Sequence, residues 1–316
     1  MNKIIAYKDH NNEYFDHEIE NGIPIKSKSE DALNIMRHDM AHILAEAVTT
    51  LFPNAKPTIG PFIKNGFYYD FDMEDTLSDE DLSKIEIQMR KILSEGRDFK
   101  KRSISKKDAL EFFKDNQYKI ELINNLDNSS EINLYDQKNF TDLCKGPHHS
   151  STKEYDANFK ITSVSGAYWR GISTNKMLQR IYATAFYSEK ELNKYLKNLE
   201  EAKERNHRRL GTDMGLFLLT DLSAGNVFWK EKGLTLYQNI EKYIRSEQQK
   251  LNYLEVKTPE LVSNELWIKS GHWDNFKENM FTSETDNKTF ALKPMNCPCH
   301  IVLFNSQLIT YKDLPL

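Results

Sequence analysis

His38 and His42 stand four residues apart, and far along the chain Cys144 and His148 repeat that spacing. If residues 38–42 are helical, both imidazoles share one face. The second pair sits in Thr141-Asp142-Leu143-Cys144-Lys145-Gly146-Pro147-His148. A Gly-Pro turn there can bring thiol and imidazole to one point. Three imidazoles, a thiol and the Asp142 carboxylate could then surround one substrate atom. Two chemistries use such a set. Zinc takes Cys sulfur and His nitrogen as ligands. Hydrolysis uses neutral imidazoles to position and deprotonate a water. Spacing alone leaves both open, beside the plainer alternative of unrelated surface residues.

The elements that must position these groups are legible in outline. Ser27-Lys28-Ser29-Glu30 reads as a capping box, and a helix follows to about Leu51, where Pro53 ends it. Leu33, Met36, Met40, Ile43, Leu44, Ala47 and Leu51 form one apolar stripe of that helix. His38 and His42 fall roughly opposite it, so they face solvent or the wall of a cleft. Residues 58–72, with Gly66-Phe67-Tyr68-Tyr69-Asp70-Phe71, read as turn and strand. Leu82, Ile85, Met89, Ile92 and Leu93 predict a helix over 78–95, closed by Gly96. A further helix is expected from Lys107 to Asp115, then short strands and turns over 117–187. This mix predicts an α+β domain over 31–187, preceded by a small β element over 1–30.

Residues 188–211 read as a linker helix with a narrow stripe of Leu192, Tyr195, Leu196, Leu199 and Ala202, stopped by Gly211. From Lys176 to Arg209 there are nine Lys or Arg against five Glu. This is either a solvated linker or one that also touches a nucleic-acid backbone. From 212 to 316 a helix is expected over Thr235–Leu251, then a strand over Tyr253–Pro259. Lys293-Pro294-Met295-Asn296-Cys297-Pro298-Cys299-His300 closes the informative stretches. Its Cys and His residues suit part of a metal site or a buried turn.

Bulk properties narrow the class. The chain has 316 residues and 39% hydrophobic content, enough for roughly two domains without staples. Net charge is -4, which does not advertise a nucleic-acid binder, so any RNA contact must be local. Three cysteines, Cys144, Cys297 and Cys299, argue against a disulfide framework and for a reducing compartment. Met1 to His10 lacks the apolar run of a signal peptide. No stretch reaches the ~18 apolar residues that span a bilayer. The expectation is a cytoplasmic protein with no membrane partner.

Arg37-His38-Asp39-Met40-Ala41-His42, Ile59-Gly60-Pro61, Asn65-Gly66-Phe67-Tyr68-Tyr69-Asp70 and Asp142-Leu143-Cys144-Lys145-Gly146-Pro147-His148 resemble the editing domain of bacterial-type threonyl-tRNA synthetases. Gly166-Ala167-Tyr168-Trp169-Arg170-Gly171 and Asn175-Lys176-Met177-Leu178-Gln179-Arg180-Ile181-Tyr182 continue the match. The resemblance covers about residues 30 to 316. It implies hydrolysis of serine wrongly attached to threonine tRNA, without a metal in this family. Alanyl-tRNA editing domains carry a similar set that binds zinc. By motif, His38, His42, Cys144 and His148 line the pocket, with Asp142 and Tyr69 near the substrate. Lys119 matches a catalytic lysine, expected to orient a water and stabilise the oxyanion with the histidines.

Gly271-His272-Trp273-Asp274-Asn275-Phe276 and Leu292-Lys293-Pro294-Met295-Asn296-Cys297-Pro298 resemble the front of the class II catalytic domain, an antiparallel-sheet fold. Thr258-Pro259-Glu260 resembles the end of its first signature motif, which implies a homodimer. Cys297 matches a ligand of the substrate-recognising zinc, whose other ligands are expected beyond Leu316. Cys299 stands where the family commonly has glycine. The resemblance thus implies an ATP-dependent threonine–tRNA ligase, with threonine, threonine tRNA and ATP with Mg2+ as substrates. Zinc that reads threonine's hydroxyl rejects valine strongly. Serine differs by one methyl, worth only ~1–3 kcal/mol, so a hydrolytic second sieve is needed. This chain alone is expected to retain at most the editing step. Alternatives are a free-standing deacylase acting in trans and a non-catalytic tRNA-binding subunit.

Overall fold

The computed structural model describes residues 3–127, 132–223, 225–285, 288–306 and 310–313. The readings made on Met1, Asn2 and Leu314 to Leu316 lie outside them. The chain divides into two compact units, Met1–Asn206 and His207–Leu316. Helices and antiparallel sheets are mixed in both.

The first unit opens with β1 (Ile4–Lys8), β2 (Tyr14–Phe15) and β3 (Ile23–Lys26), an antiparallel sheet in the order β2-β1-β3. Helix α1 (Glu30–Leu51) follows. Ala6 and Ile25 of the small sheet pack on Ala32 and Ile35 of α1, so the small sheet is docked on this helix. The cap of α1 is Ser29, whose hydroxyl accepts from Ala32 N. Ser27 is not the cap: its amide bonds to Lys3 O and prolongs the sheet.

Next come β4 (Lys56–Pro57), β5 (Phe62–Ile63), β6 (Gly66–Asp72), α2 (Asp79–Glu95), β7 (Lys100–Ile104), α3 (Lys106–Phe112) and α4 (Gln117–Asn124). Then follow β8 (Ile132–Gln137), β9 (Phe140–Leu143), β10 (Asn158–Tyr168), β11 (Met177–Phe186) and α5 (Glu189–Glu204). Strands β10-β11-β6-β4 form the main sheet, with β5 also on β6. Strands β7-β8-β9 form a second sheet. Ser78 and Asp81 make a reciprocal capping box for α2, and Gly96 closes it at φ 77.

The stretch 117–187 holds more regular structure than expected. Strands β10 and β11 are long and pair along their length. Helix α4 was unforeseen in an apparent strand-and-turn region. Asn116 makes it possible, since its side chain accepts from both Tyr118 N and Lys119 N.

Helix α1 is the centre of the unit. Met36, Met40, Ile43, Leu44 and Ala47 pack with Phe67, Tyr69 and Phe71 of β6, Ile181 of β11 and Ile85, Met89 and Ile92 of α2. Each fully buried Leu, Ile or Met contributes about 1.5–3 kcal/mol. The apolar stripe is not the only buried face. Leu33 is half-buried and Leu51 exposed, whereas His42 on the other side is 1% exposed. The histidine face is therefore an interior wall rather than solvated surface.

A buried ion pair sets the depth of α1. Arg97 donates from Nη2 and Nε to Glu46 Oε1 at 2.8 and 2.9 Å, and from Nε to Oε2 at 3.0 Å. Gln137 Nε2 donates to Glu46 Oε2 and to His42 O, at 2.8 and 3.2 Å. One carboxylate thus joins α1 to the segment after α2 and to β8.

The expected linker helix is broken. Helix α5 ends at Glu204, and α6 (His207–Asp213) begins the second unit. Helix α5 lies on β10 and β11, burying Leu192 and setting Tyr195 5.3 Å from Phe186. Gly211 does not stop a helix. It lies inside α6, buried against Phe217.

The second unit continues with β12 (Phe217–Leu218), β13 (Phe228–Trp229), α7 (Glu231–Lys250), β14 (Leu261–Ser263), α8 (Asn264–Lys269), α9 (His272–Phe276), β15 (Thr282–Thr285), β16 (Lys288–Leu292) and α10 (Cys297–Phe304). Its three-stranded sheet runs β14-β16-β15. The strand expected over Tyr253–Pro259 is not formed. Those residues have no ladder partner among the described residues, and pairing starts beyond Pro259, at Leu261 opposite Leu292. Without a ladder, β-prone residues do not make a strand.

Arg97→Leu should strip Glu46 of its charge partner inside the core. The expected cost is about 3–5 kcal/mol, read as lost hydrogen-exchange protection of the α1 amides. Retained protection would show that the pair does not anchor α1.

Candidate functional site

Helix α1 presents His38 and His42 one turn apart, with rings 5.2 Å between centroids. Strand β9 delivers Asp142, and the turn after it delivers Cys144 and His148. Gly146 shapes that turn. Its φ of 77° favours glycine, and a Cβ there would lie 2.2 Å from the Tyr135 hydroxyl. Closure brings the two pairs together. The ligand atoms of His38, His42, Cys144 and His148 all lie within 4.8 Å of one another. Cys144 Sγ is 3.3 Å from His38 Nε2 and 3.4 Å from His148 Nε2. The Gly146 amide donates to the same sulfur at 3.2 Å.

A second layer holds His148. Its Nδ1 lies 2.8 Å from Asp39 Oδ1, and the other oxygen of Asp39 is 2.7 Å from His149 Nδ1. Phe99 stacks on the His148 ring at 4.9 Å. Asp39 and His149 are buried parts of the site that spacing rules did not single out. Their signal was adjacency alone: each directly follows a predicted site residue.

Asp142 organises the other side. Lys119 of α4, 1% exposed, donates from Nζ to Asp142 Oδ1. The Tyr69 hydroxyl of β6 donates to Oδ2 at 2.5 Å, and Lys119 Nζ is 3.4 Å from that hydroxyl. Asp142 Oδ2 lies 3.9 Å from His42 Nε2. Gly60 lets β6 seat Tyr69 here, since a Cβ at residue 60 would overlap the ring at 2.0 Å. All seven predicted residues, His38, His42, Cys144, His148, Asp142, Lys119 and Tyr69, thus meet in one cluster.

The charges are set by these contacts. Burial opposes ionisation of Cys144, but His38 and His148 outweigh it and hold the thiol well below its ordinary value. Burial likewise opposes the His148 cation, yet Cys144 and Asp39 push its pKa up to about 9. Each group thus favours the charged form of the other, a thiolate beside an imidazolium. His42 moves the other way. Burial, then the neighbouring His148 charge, lowers its pKa and keeps it neutral. Its Nδ1 is buried with no hydrogen-bond partner among the described residues. Tyr69 is raised well above its ordinary value by burial and by Asp142, so it remains a donor.

One sulfur and three imidazole nitrogens suit zinc-type ligation. Without a metal, the same sulfur is hydrogen-bonded between His38 and His148. The other predicted metal ligand fares differently. Cys297 is exposed at the start of α10. Cys299 is buried with Trp267 and Ala291 in a small apolar cluster. Among the described residues, the His38 set is the one group of three or more His, Cys, Asp or Glu ligands. The residues around Cys297 supply no further metal ligand among the described residues, and no chemistry is derived through a zinc there.

Cys144 should alkylate with iodoacetamide at pH values well below the ordinary thiol pKa of ~8.5, in a Cys297→Ser/Cys299→Ser background. Asp39→Asn removes the anion that supports the His148 cation, so the reactivity profile should shift to higher pH. A Cys144 profile centred on the ordinary value in the parent would refute the ion pair.

The profile of the threonyl and alanyl tRNA synthetase second additional domain matches residues 132–182. This segment spans β8 to β11 and contains Asp142, Cys144 and His148. The threonine–tRNA ligase of Ehrlichia chaffeensis is 50% identical over 294 residues, covering 92% of this chain and 46% of that protein. That of Wolbachia pipientis subsp. Culex pipiens is 47% identical, covering 100% of this chain and 51% of the relative. A crystal structure of the RNA binding domain of threonyl-tRNA synthetase from Cryptosporidium parvum Iowa II aligns with a TM-score of 0.34 and 41% identity, over 35% of this chain and 28% of that one. The chain spans about half the length of the curated relatives it matches. Along nearly its whole length, then, the chain is a homologue of the threonine–tRNA ligases, and it carries the second additional domain of the threonyl and alanyl synthetases.

Proposed function

We propose that the first unit is the proofreading part of a threonine–tRNA ligase and hydrolyses serine from mischarged threonine tRNA without a metal. The observation that carries this reading is a buried His42 with a lowered pKa beside Cys144, His148 and Asp142, whose ring keeps one nitrogen without a hydrogen-bond partner among the described residues. A neutral imidazole with a free nitrogen can accept a proton from water. Water then attacks the ester carbonyl carbon, and the bond to the ribose oxygen breaks. The ribose oxygen leaves as a hydroxyl once it receives a proton, and the His148 imidazolium is the nearest charged donor in the cluster.

Lys119 takes a more specific part than general oxyanion stabilisation. Its ammonium is committed to Asp142, with Tyr69 on the same carboxylate. Together they fix Asp142, whose carboxylate stands 3.9 Å from His42 Nε2 and favours the orientation of that ring. Lys119 and Asp142 are thus positioning residues, and His42 is the catalytic base. ATP with Mg2+, threonine and a homodimeric partner belong to the ligation step of the relatives. We propose them for the whole enzyme, in the cytoplasm.

The test is deacylation of seryl-tRNA by this chain. His42→Ala should lower kcat by about 10²–10⁴-fold, the usual worth of a general base. Lys119→Met should lower kcat with little change in KM. A chelator should leave the parent rate unchanged. Full activity in His42→Ala, or loss of activity on chelation restored by zinc, would refute the metal-free mechanism.

A further inference from the structure

The first unit has a cavity outside the His38 cluster that hydrolysis does not use. It measures about 470 Å³ and lies beside the first two turns of α1. Lys28, Lys64, Lys194 and Arg37 line it, with Glu30 and Glu191. Four cations face two carboxylates there, in a chain whose net charge is -4. The three lysines are exposed, and none has a carboxylate at ion-pair distance among the described residues.

Arg37 is the unusual member. It is only 3% exposed. Its Nε donates to Ala185 O at 3.2 Å, and its Nη1 to Lys64 O at 3.0 Å and Asn34 Oδ1 at 3.4 Å. No carboxylate partners it, and Nη2 makes no hydrogen bond among the described residues. Besides these neutral oxygens its guanidinium meets, among the described residues, only the Phe186 ring, 5.1 Å from the centroid, and a buried cation without an anion is costly. Guanidinium geometry matches phosphate oxygens, and the positive end of the 22-residue α1 adds to the attraction.

We infer that this cavity seats a backbone phosphate of the RNA strand whose 3′ end enters the His38 site. The inference rests on an aminoacyl-tRNA being the substrate. Arg37 and His38 are consecutive on α1, so the helix carries one group into each site. From Leu33, at the cavity, to His38 the helix rises only ~7.5 Å. A polymer can occupy both sites at once, which a free phosphate cannot. Contacts of this kind set register and carry no base information.

The experiment compares the full chain with Lys28→Ala/Lys64→Ala/Lys194→Ala. These side chains are exposed, so the fold should survive their loss. Binding of uncharged threonine tRNA is followed by fluorescence anisotropy across a salt series. The Kd should rise roughly tenfold or more at low salt, and the log–log salt slope should fall by about 1–3. A control, Lys56→Ala/Lys91→Ala/Lys107→Ala, removes equal charge from exposed sites elsewhere in the unit and should keep the parent Kd. Unchanged Kd and slope in the first variant overturn the inference, as does an equal loss in the control. Calorimetric binding of inorganic phosphate, with tRNA affinity indifferent to the three lysines, also overturns it. If the parent binds tRNA through these lysines but does not hydrolyse seryl-tRNA, the docking site stands and the hydrolase reading falls.

Discussion

The structure of the first unit depends on burying a helix that is polar on one side. Helix α1 has no solvated face through its middle turns. Its apolar stripe is satisfied by β6, β11 and α2. Its other face carries Asp39, His42 and Glu46, each of which must find partners or pay for desolvation. Glu46 is met by Arg97 and Gln137 and Asp39 by His148 and His149, while Asp142 stands 3.9 Å from His42 Nε2. These requirements pull the segment after α2, strand β8 and the turn after β9 onto one helix. The pocket is what remains where the helix meets that turn.

Function follows from how the satisfaction is incomplete. Asp39 is saturated by two imidazoles, and Asp142 by a lysine and a tyrosine. Of the three imidazoles in the cluster, His42 retains a buried nitrogen with no hydrogen-bond partner among the described residues. An unsatisfied group in an otherwise complete network is a common mark of a site built for a ligand or a reacting atom. Opposite pKa shifts at His42 and His148 separate a neutral base from a charged donor within rings 4.3 Å apart. Two histidines of equal intrinsic acidity thereby acquire different roles.

The two units differ in how much they settle internally. In the first, a broad core surrounds α1. In the second, the buried cluster is small, centred on Trp267, Ala291 and Cys299. Cys299 shows how a ligand-type residue can serve packing instead. Placed two residues into α10, it turns toward Trp267, while Cys297 at the helix start stays exposed.

Local patterns in the sequence determined the helix of residues 30–51, the strand at 66–72 and the helix over 79–95, because each carries its own cap, period or stop. They also determined that His38 and His42 share a face. Lys119 and Cys297 were singled out only through likeness to a family; the fold brings Lys119 onto Asp142 and leaves Cys297 exposed at the start of α10. Local patterns missed α4, whose short length leaves little periodicity, and mistook Tyr253–Pro259 for a strand, because a ladder needs a partner from elsewhere. Tertiary structure alone decided that the histidine face is interior, that Asp39 links His148 to His149, and that Arg37 lines a separate cavity. The reason is range. Spacing along one element fixes which side chains share a face, but which remote segment meets that face depends on sheet pairing and core burial across the whole unit.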